Sequence, residues 1–192
     1  MIFKEIDPRK LNINEHELTA RMSAPCDLGN WTLAKLYGEL VSVAKPAYVA
    51  MRVELNEQNG GVTVGKFHSS SKALAKLCAG CASSIALVAT LGVGVDRLIL
   101  KRALTSKAEA FMIDAIADAL IEALCDHAEE DVSRGFITNG RFSPGYSDIE
   151  LLLGEEIIAL TTAEKALGIK LTDSGLMVPK KSVNALIPIK DV

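Results

Sequence analysis

Arg141-Phe142-Ser143-Pro144-Gly145-Tyr146 puts a fixed cation, a rigid turn and an aromatic hydroxyl within six residues. Arginine presents a planar fork of donors that matches a carboxylate. Proline fixes φ, and glycine lets the backbone come close to a ligand. Tyrosine adds a π-face and a hydrogen-bonding tip. Pro-Gly is also the composition of an ordinary surface turn. The hexapeptide alone therefore does not separate a solvated arginine from a ligand-binding loop, and its surroundings carry the decision.

On its N-terminal side, residues 106–132 give the longest helical pattern, with Ser106 placed as N-cap and Ile113, Ile116, Leu120 and Leu124 as the core seam. Asp114, Asp118, Glu122 and Asp126 recur every four residues along the same helix, with no lysine or arginine among them. Like charges at that spacing cost roughly 0.2–0.5 kcal/mol per pair. Asp114 and Asp126 read as a solvated acidic face. If the Arg141 loop folds back on the helix, one of these acids and Arg141 form a clamp for a zwitterion: arginine for the carboxylate, an acid for the amine. Spacing does not single out which acid. Residues 134–146 read as irregular.

On its C-terminal side, residues 149–167 read as one helix stopped by Gly168. Short strands follow at 169–171, 176–178 and 183–189, with Pro179-Lys180-Lys181 as the turn between the last two. Nearer the N-terminus, helix 31–45 carries Leu33, Leu36, Leu40 and Val43 on one stripe and ends at Pro46. Strand 47–55, the turn Asn59-Gly60-Gly61 and strand 62–67 read as a hairpin. Helix 70–77, an almost wholly apolar strand 84–91 and helix 95–103 complete the pattern. Without a strict βαβ rhythm, the class is α+β.

At 192 residues, 49% hydrophobic and 23% charged, the chain reads as one domain, 1–192, with a full core. A net charge of −3 and the absence of a basic run argue against nucleic acid as a partner. No stretch has the length and apolarity of a membrane span, and residues 1–8 lack a signal core, so a cytoplasmic protein is expected. Cys26, Cys78, Cys81 and Cys125 fit that compartment as free thiols. Cys78-Ala79-Gly80-Cys81 has no second pair or histidines at ligand spacing, and reads as buried small residues rather than as a metal or redox site.

Gly92-Val93-Gly94 lies between a strand and a helix, but Arg97 occupies the third glycine position of a dinucleotide loop, so a tight turn is the better reading. His16, His68 and His127 are scattered, and none opens an H-x-x-G sequence. The chain is thus not expected to hold cobalamin through a histidine of its own. G-x-S-x-G is absent, which removes support for serine-hydrolase chemistry.

Together these segments resemble the activation (reactivation) domain of cobalamin-dependent methionine synthase. Residues 79–82 and 89–92 resemble its AGC…ATLG strand and turn, and residues 116–123 its long helix. Arg141 to Tyr146 match its R-x-x-P-G-Y signature. Residues 163–165, 168–174 and 179–183 resemble its closing segment. The resemblance runs from about residue 70 to the C-terminus, and residues 1–69 match only loosely.

The resemblance implies a mixed, largely antiparallel twisted sheet with packed helices. It also implies S-adenosylmethionine as ligand, with Arg141 at the ligand's carboxylate or nearby polar atoms. Ser143 and Gly145 would offer backbone groups, Tyr146 would lie near the sulfonium, and Glu122 would be a contact from the helix. Cobalamin would be met only through a partner protein, with a flavodoxin-like donor supplying the electron. The homocysteine, folate and cobalamin modules of the full-length synthase do not occur in these 192 residues, nor does a later tyrosine pair that contacts the ligand in longer members. The expectation is a reactivation subunit acting in trans on a separate methionine synthase or other corrinoid protein. The alternative is a non-catalytic adaptor of the same fold that binds a corrinoid protein without S-adenosylmethionine, or that self-associates as a homo-oligomer through apolar helix faces.

Overall fold

The computed structural model describes residues 1–22, 31–58 and 60–191. Cys26 and Asn59, the latter from the expected hairpin turn, lie outside the described residues. In chain order the elements are β1 (Ile2–Glu5), α1 (Glu15–Met22), α2 (Trp31–Val43), β2 (Ala47–Gln58), β3 (Gly61–Val64), β4 (Phe67–Ser69), α3 (Lys72–Cys78) and β5 (Ser83–Thr90). They continue with α4 (Val93–Ala103), α5 (Lys107–Val132), β6 (Phe136–Thr138), α6 (Leu153–Thr161), α7 (Ala163–Leu167), β7 (Lys170–Leu171), β8 (Met177–Val178) and β9 (Ser182–Asp191).

Seven strands form one sheet in the order β4-β3-β2-β5-β9-β6, with β1 added to the first half of β2. Every pairing among the described residues is antiparallel, and β7 and β8 make a separate hairpin. The expected α+β class with a largely antiparallel sheet is the one observed.

Helices cover both faces of this sheet, which explains the apolar run in β5. Ile85, Leu87 and Ala89 point into a core shared with α1, α2, α4 and α5, while Ala86 and Val88 point into a second core under α3, α6 and α7. A strand buried on both faces has no polar side to alternate with. Leu87, Leu120, Leu124 and Leu153 are fully buried, and each such side chain contributes roughly 1.5–3 kcal/mol by leaving water. The seam Ile113, Ile116, Leu120 and Leu124 on α5 faces the first core as expected.

Ser106 caps α5 by accepting from Glu109 N–H at 3.2 Å. Gly92 stands at φ 81 before α4, and a Cβ on Gly94 would lie 2.5 Å from the Val43 carbonyl oxygen. The two glycines therefore make a tight turn and a close helix contact.

Several expectations need correction. The single helix at 149–167 is two helices, α6 and α7, broken at Thr162, whose φ is 52; Gly168 at φ 68 does end the second. The strand at 62–67 is two strands, β3 and β4, folded at Gly65 (φ 58). Three elements went unforeseen: β1, α1, and β6 within the stretch read as irregular. All four residues of β1 are exposed, so backbone pairing to β2, without apolar alternation, defines it. β6 spans three residues and exists because the end of β9 lies beside it.

Candidate functional site

After α5 the chain crosses to the sheet edge, and Phe142 exchanges two backbone hydrogen bonds with Leu186 of β9 (N to O, 3.0 and 2.9 Å). This anchors the start of the hexapeptide. Its end is anchored by a turn in which Gly145 N–H donates to Ile149 O at 3.0 Å and Ile149 N–H to Tyr146 O at 3.1 Å. Gly145 adopts φ 89, a left-handed geometry that glycine accommodates without strain. Asp148 and Glu150 then hold the segment against the β4–α3 junction. The Asp148 carboxylate accepts from Ser71 Oγ (2.6 Å), Lys72 N–H (2.9 Å) and Ala73 N–H (3.2 Å), and Glu150 accepts from Ser69 Oγ (2.5 Å). The Ser71 hydroxyl foremost, then those backbone donors, hold the Asp148 carboxyl below its ordinary value.

The loop so fixed forms one wall of a cleft of about 890 Å³. Glu122, Arg141, Ser143 and Tyr146 all line it. Gly145 is not among the lining residues, and its N–H is spent on the turn. The opposite wall comes from the β7–β8 hairpin, through Thr172, Leu176, Met177 and Val178, with Ser182 and Asn184 of β9 along the floor. None of these hairpin and floor residues was singled out beforehand. The signal available was the closing segment's match in the resemblance, which named residues 168–174 and 179–183 without giving them a site role.

Arg141 folds back on α5. Its Nη2 lies 3.0 Å from Glu122 Oε2 and 3.1 Å from Asp126 Oδ1, and its Nε lies 3.8 Å from Glu129 Oε2. Burial first, then the Asp126 charge, raise the Glu129 carboxyl above its ordinary value. Three carboxylates around one guanidinium make this end of the cleft electronegative, which suits an ammonium or sulfonium group. A ligand carboxylate reaching for Arg141 competes with acids already in place.

Asp114 and Asp126 are not simply solvated. Lys181 Nζ lies 2.8 Å from Asp114 Oδ1 and 2.6 Å from Asp118 Oδ1, and Arg21 reaches Asp118 at 3.5 Å. The acidic stripe is neutralised by cations from α1, from the residue before β9 and from the Arg141 loop. No pattern within the helix could reveal them.

Cys78 and Cys81 are both buried free thiols. Burial, ahead of the neighbouring Cys81, pushes the Cys78 thiol up to about 12, which opposes thiolate chemistry. No helix among the described residues is long and apolar enough to cross a membrane.

No family model matches the sequence, and no curated protein matches it. Among solved structures, the chain is similar to the crystal structure of the MetH reactivation domain bound to AdoHcy. The TM-score is 0.72 at 18% sequence identity, covering 97% of this chain and 77% of that one. At that identity the likeness establishes the fold: the chain has the architecture of a MetH reactivation domain.

Proposed function

We propose that this chain binds S-adenosylmethionine in the cleft beside Arg141 and supports reductive methylation of a corrinoid held by a separate protein. The observation that carries the reading is the joint presence of Glu122, Arg141, Ser143 and Tyr146 on one cleft of a reactivation-domain fold. The similar reactivation domain was crystallised with AdoHcy, the demethylated form of this ligand.

The residues present suit such a ligand. Glu122 and its acidic neighbours favour the ammonium and sulfonium charges, Arg141 offers donors to the carboxylate, and Tyr146, 73% exposed at the mouth, brings an aromatic face near the cation. S-adenosylmethionine would supply the methyl group. The protein's part is to fix the ligand's orientation and keep water from the reacting end, so no general base is needed. The Phe142–Leu186 pairing and the Gly145–Ile149 turn hold the loop before ligand arrives, which lowers the ordering cost of binding.

Calorimetric titration with S-adenosylmethionine tests the reading on the wild type, Arg141→Ala and Tyr146→Ala. Binding is expected in the wild type and weakening in both variants. No heat at millimolar ligand would overturn the reading. Wild-type binding that both variants retain would move the site away from this cleft. Binding of a corrinoid protein that persists without S-adenosylmethionine, with no ligand uptake, would instead mark an adaptor.

A further inference from the structure

The sheet has an unguarded edge at β1. Its pairing with β2 continues one residue past Glu5, where Ile6 N–H donates to Pro46 O at 2.9 Å. In an antiparallel ladder, hydrogen-bonded pairs alternate with pairs whose backbone groups turn away from each other. Counting back from Ile6, Lys4 and Ile2 bond to β2, while Phe3 and Glu5 direct their N–H and C=O groups outward. Among the described residues no strand lies on that side, and all four residues of β1 are exposed.

An open edge templates pairing with another chain unless it is short, charged, bulged or covered. β4 and β6 are short, at three residues each, and Glu156 of α6 accepts from Lys66 N–H beside β4. β1 contains no proline, and the chain entering it is apolar, with Met1 75%, Ile2 42% and Phe3 48% exposed. Its one cation is turned aside. Lys4 shares a face with Tyr48, its partner on β2, and its Nζ lies 2.6 Å from Asp131 Oδ2 at the end of α5.

We infer that β1 pairs with β1 of a second copy, antiparallel and symmetric about Phe3, so that the two sheets run on as one across a two-fold axis. Outward groups must meet outward groups, so the axis falls on a residue rather than between two. An axis at Lys4 or Glu5 sets like charges directly opposite each other, which is destabilising. One at Ile2 pairs that residue alone within β1. The axis at Phe3 brings the two Phe3 rings together on the face of Val49 and lays each Ile2 beside the aliphatic stem of the second copy's Lys4. This self-matching favours a second copy over an extended segment of unrelated sequence.

The contact is small. Strands of this length, at about 3.4 Å per residue, bury well under the roughly 1,200 Å² of a stable complex, so the dimer is weak and exchanges with monomer. β2 and β5 separate β1 from β9, so the pairing does not run through the cleft and does not depend on what the cleft binds.

Sedimentation velocity of the full chain from about 10 μM to about 1 mM tests the pairing, with the wild type, Phe3→Ala and Phe3→Pro. The wild type is expected to shift from monomer to dimer across this range. Phe3→Ala keeps the N–H but loses the ring, and is expected to weaken the dimer several-fold. Phe3→Pro removes an N–H that the β1–β2 ladder does not use, so it is expected to fold with β1 in place and to stay monomeric. A wild type that is monomeric throughout would overturn the inference and leave the edge to a different extended segment. A folded Phe3→Pro that dimerises as well as the wild type would also overturn it, by putting the contact on another face. An undiminished Phe3→Ala dimer would overturn the register. If circular dichroism shows that Phe3→Pro does not fold, amide hydrogen exchange of the wild type replaces it. The Phe3 amide is then expected to gain protection as concentration rises, and unchanged exchange there would overturn the inference.

Discussion

Arg141 Nη2 lies 3.0 Å from Glu122 Oε2, joining the loop after α5 to the middle of that helix. The contact gives Arg141 a structural role beside the ligand role proposed for it. Its side chain is only 16% exposed, and Asp126 and Glu129 share it. Arg141→Ala would leave three clustered carboxylates without this cation, so a loss of roughly 1–3 kcal/mol is expected in urea unfolding, on top of weakened ligand binding. Arg141→Lys restores the charge without the fork, and is expected to recover most of the stability but little of the affinity. Equal recovery of both would show that charge alone matters.

Asp148 predicts an acid limit to stability. Its folded carboxyl is held below the ordinary value of 3.8 by Ser71 and the first backbone N–H groups of α3. A group with a depressed folded value contributes stability that is present above its unfolded value and is lost as pH falls through the folded one. The urea midpoint of the wild type should therefore drop below about pH 4. Asp148→Asn should start lower at neutral pH and fall less steeply in that window. Parallel profiles for the two proteins would contradict the assignment.

At Gly94 two effects oppose each other. Alanine in a helix is favoured over glycine by roughly 0.8–1 kcal/mol, but a Cβ here would sit 2.5 Å from the backbone oxygen of Val43. Backbone cannot swing aside as a side chain can, so α4 must move away from the end of α2. A net destabilisation of about 1–3 kcal/mol is expected for Gly94→Ala in thermal or denaturant unfolding. A stabilised variant would show that the two helix ends are loosely joined.

Cys78 is expected to resist alkylation in the folded protein. With its thiol pushed up to about 12, the thiolate fraction at pH 8 is on the order of one in ten thousand, and the side chain is fully buried. Iodoacetamide labelling followed by mass spectrometry should modify it only at the rate of unfolding. Rapid labelling under native conditions would restore a chemical role for the Cys78–Cys81 pair.

Much of the architecture could be read from local pattern. The α5 seam, the cap at Ser106, the stop at Gly168 and the doubly apolar β5 each depend on residues close in sequence, and the structure contains all four. β1 and β6 could not be read this way, because exposed or very short strands are defined by the partner they pair with. The break at Thr162 was hidden because the apolar pattern continues on both sides of it.

Regarding the site, the sequence by itself determined the chemistry available: an arginine before a Pro-Gly turn, a tyrosine after it, and acids at fourfold spacing on the preceding helix. Only the tertiary structure decided their arrangement. It set Arg141 against Glu122, Asp126 and Glu129, gave Asp114 and Asp118 to Lys181, and brought the β7–β8 hairpin and β9 to one cleft with the loop. The physical reason is range: propensity, capping and turn geometry act between near neighbours, whereas ion pairing and cleft formation depend on distances that exist only after the chain has packed.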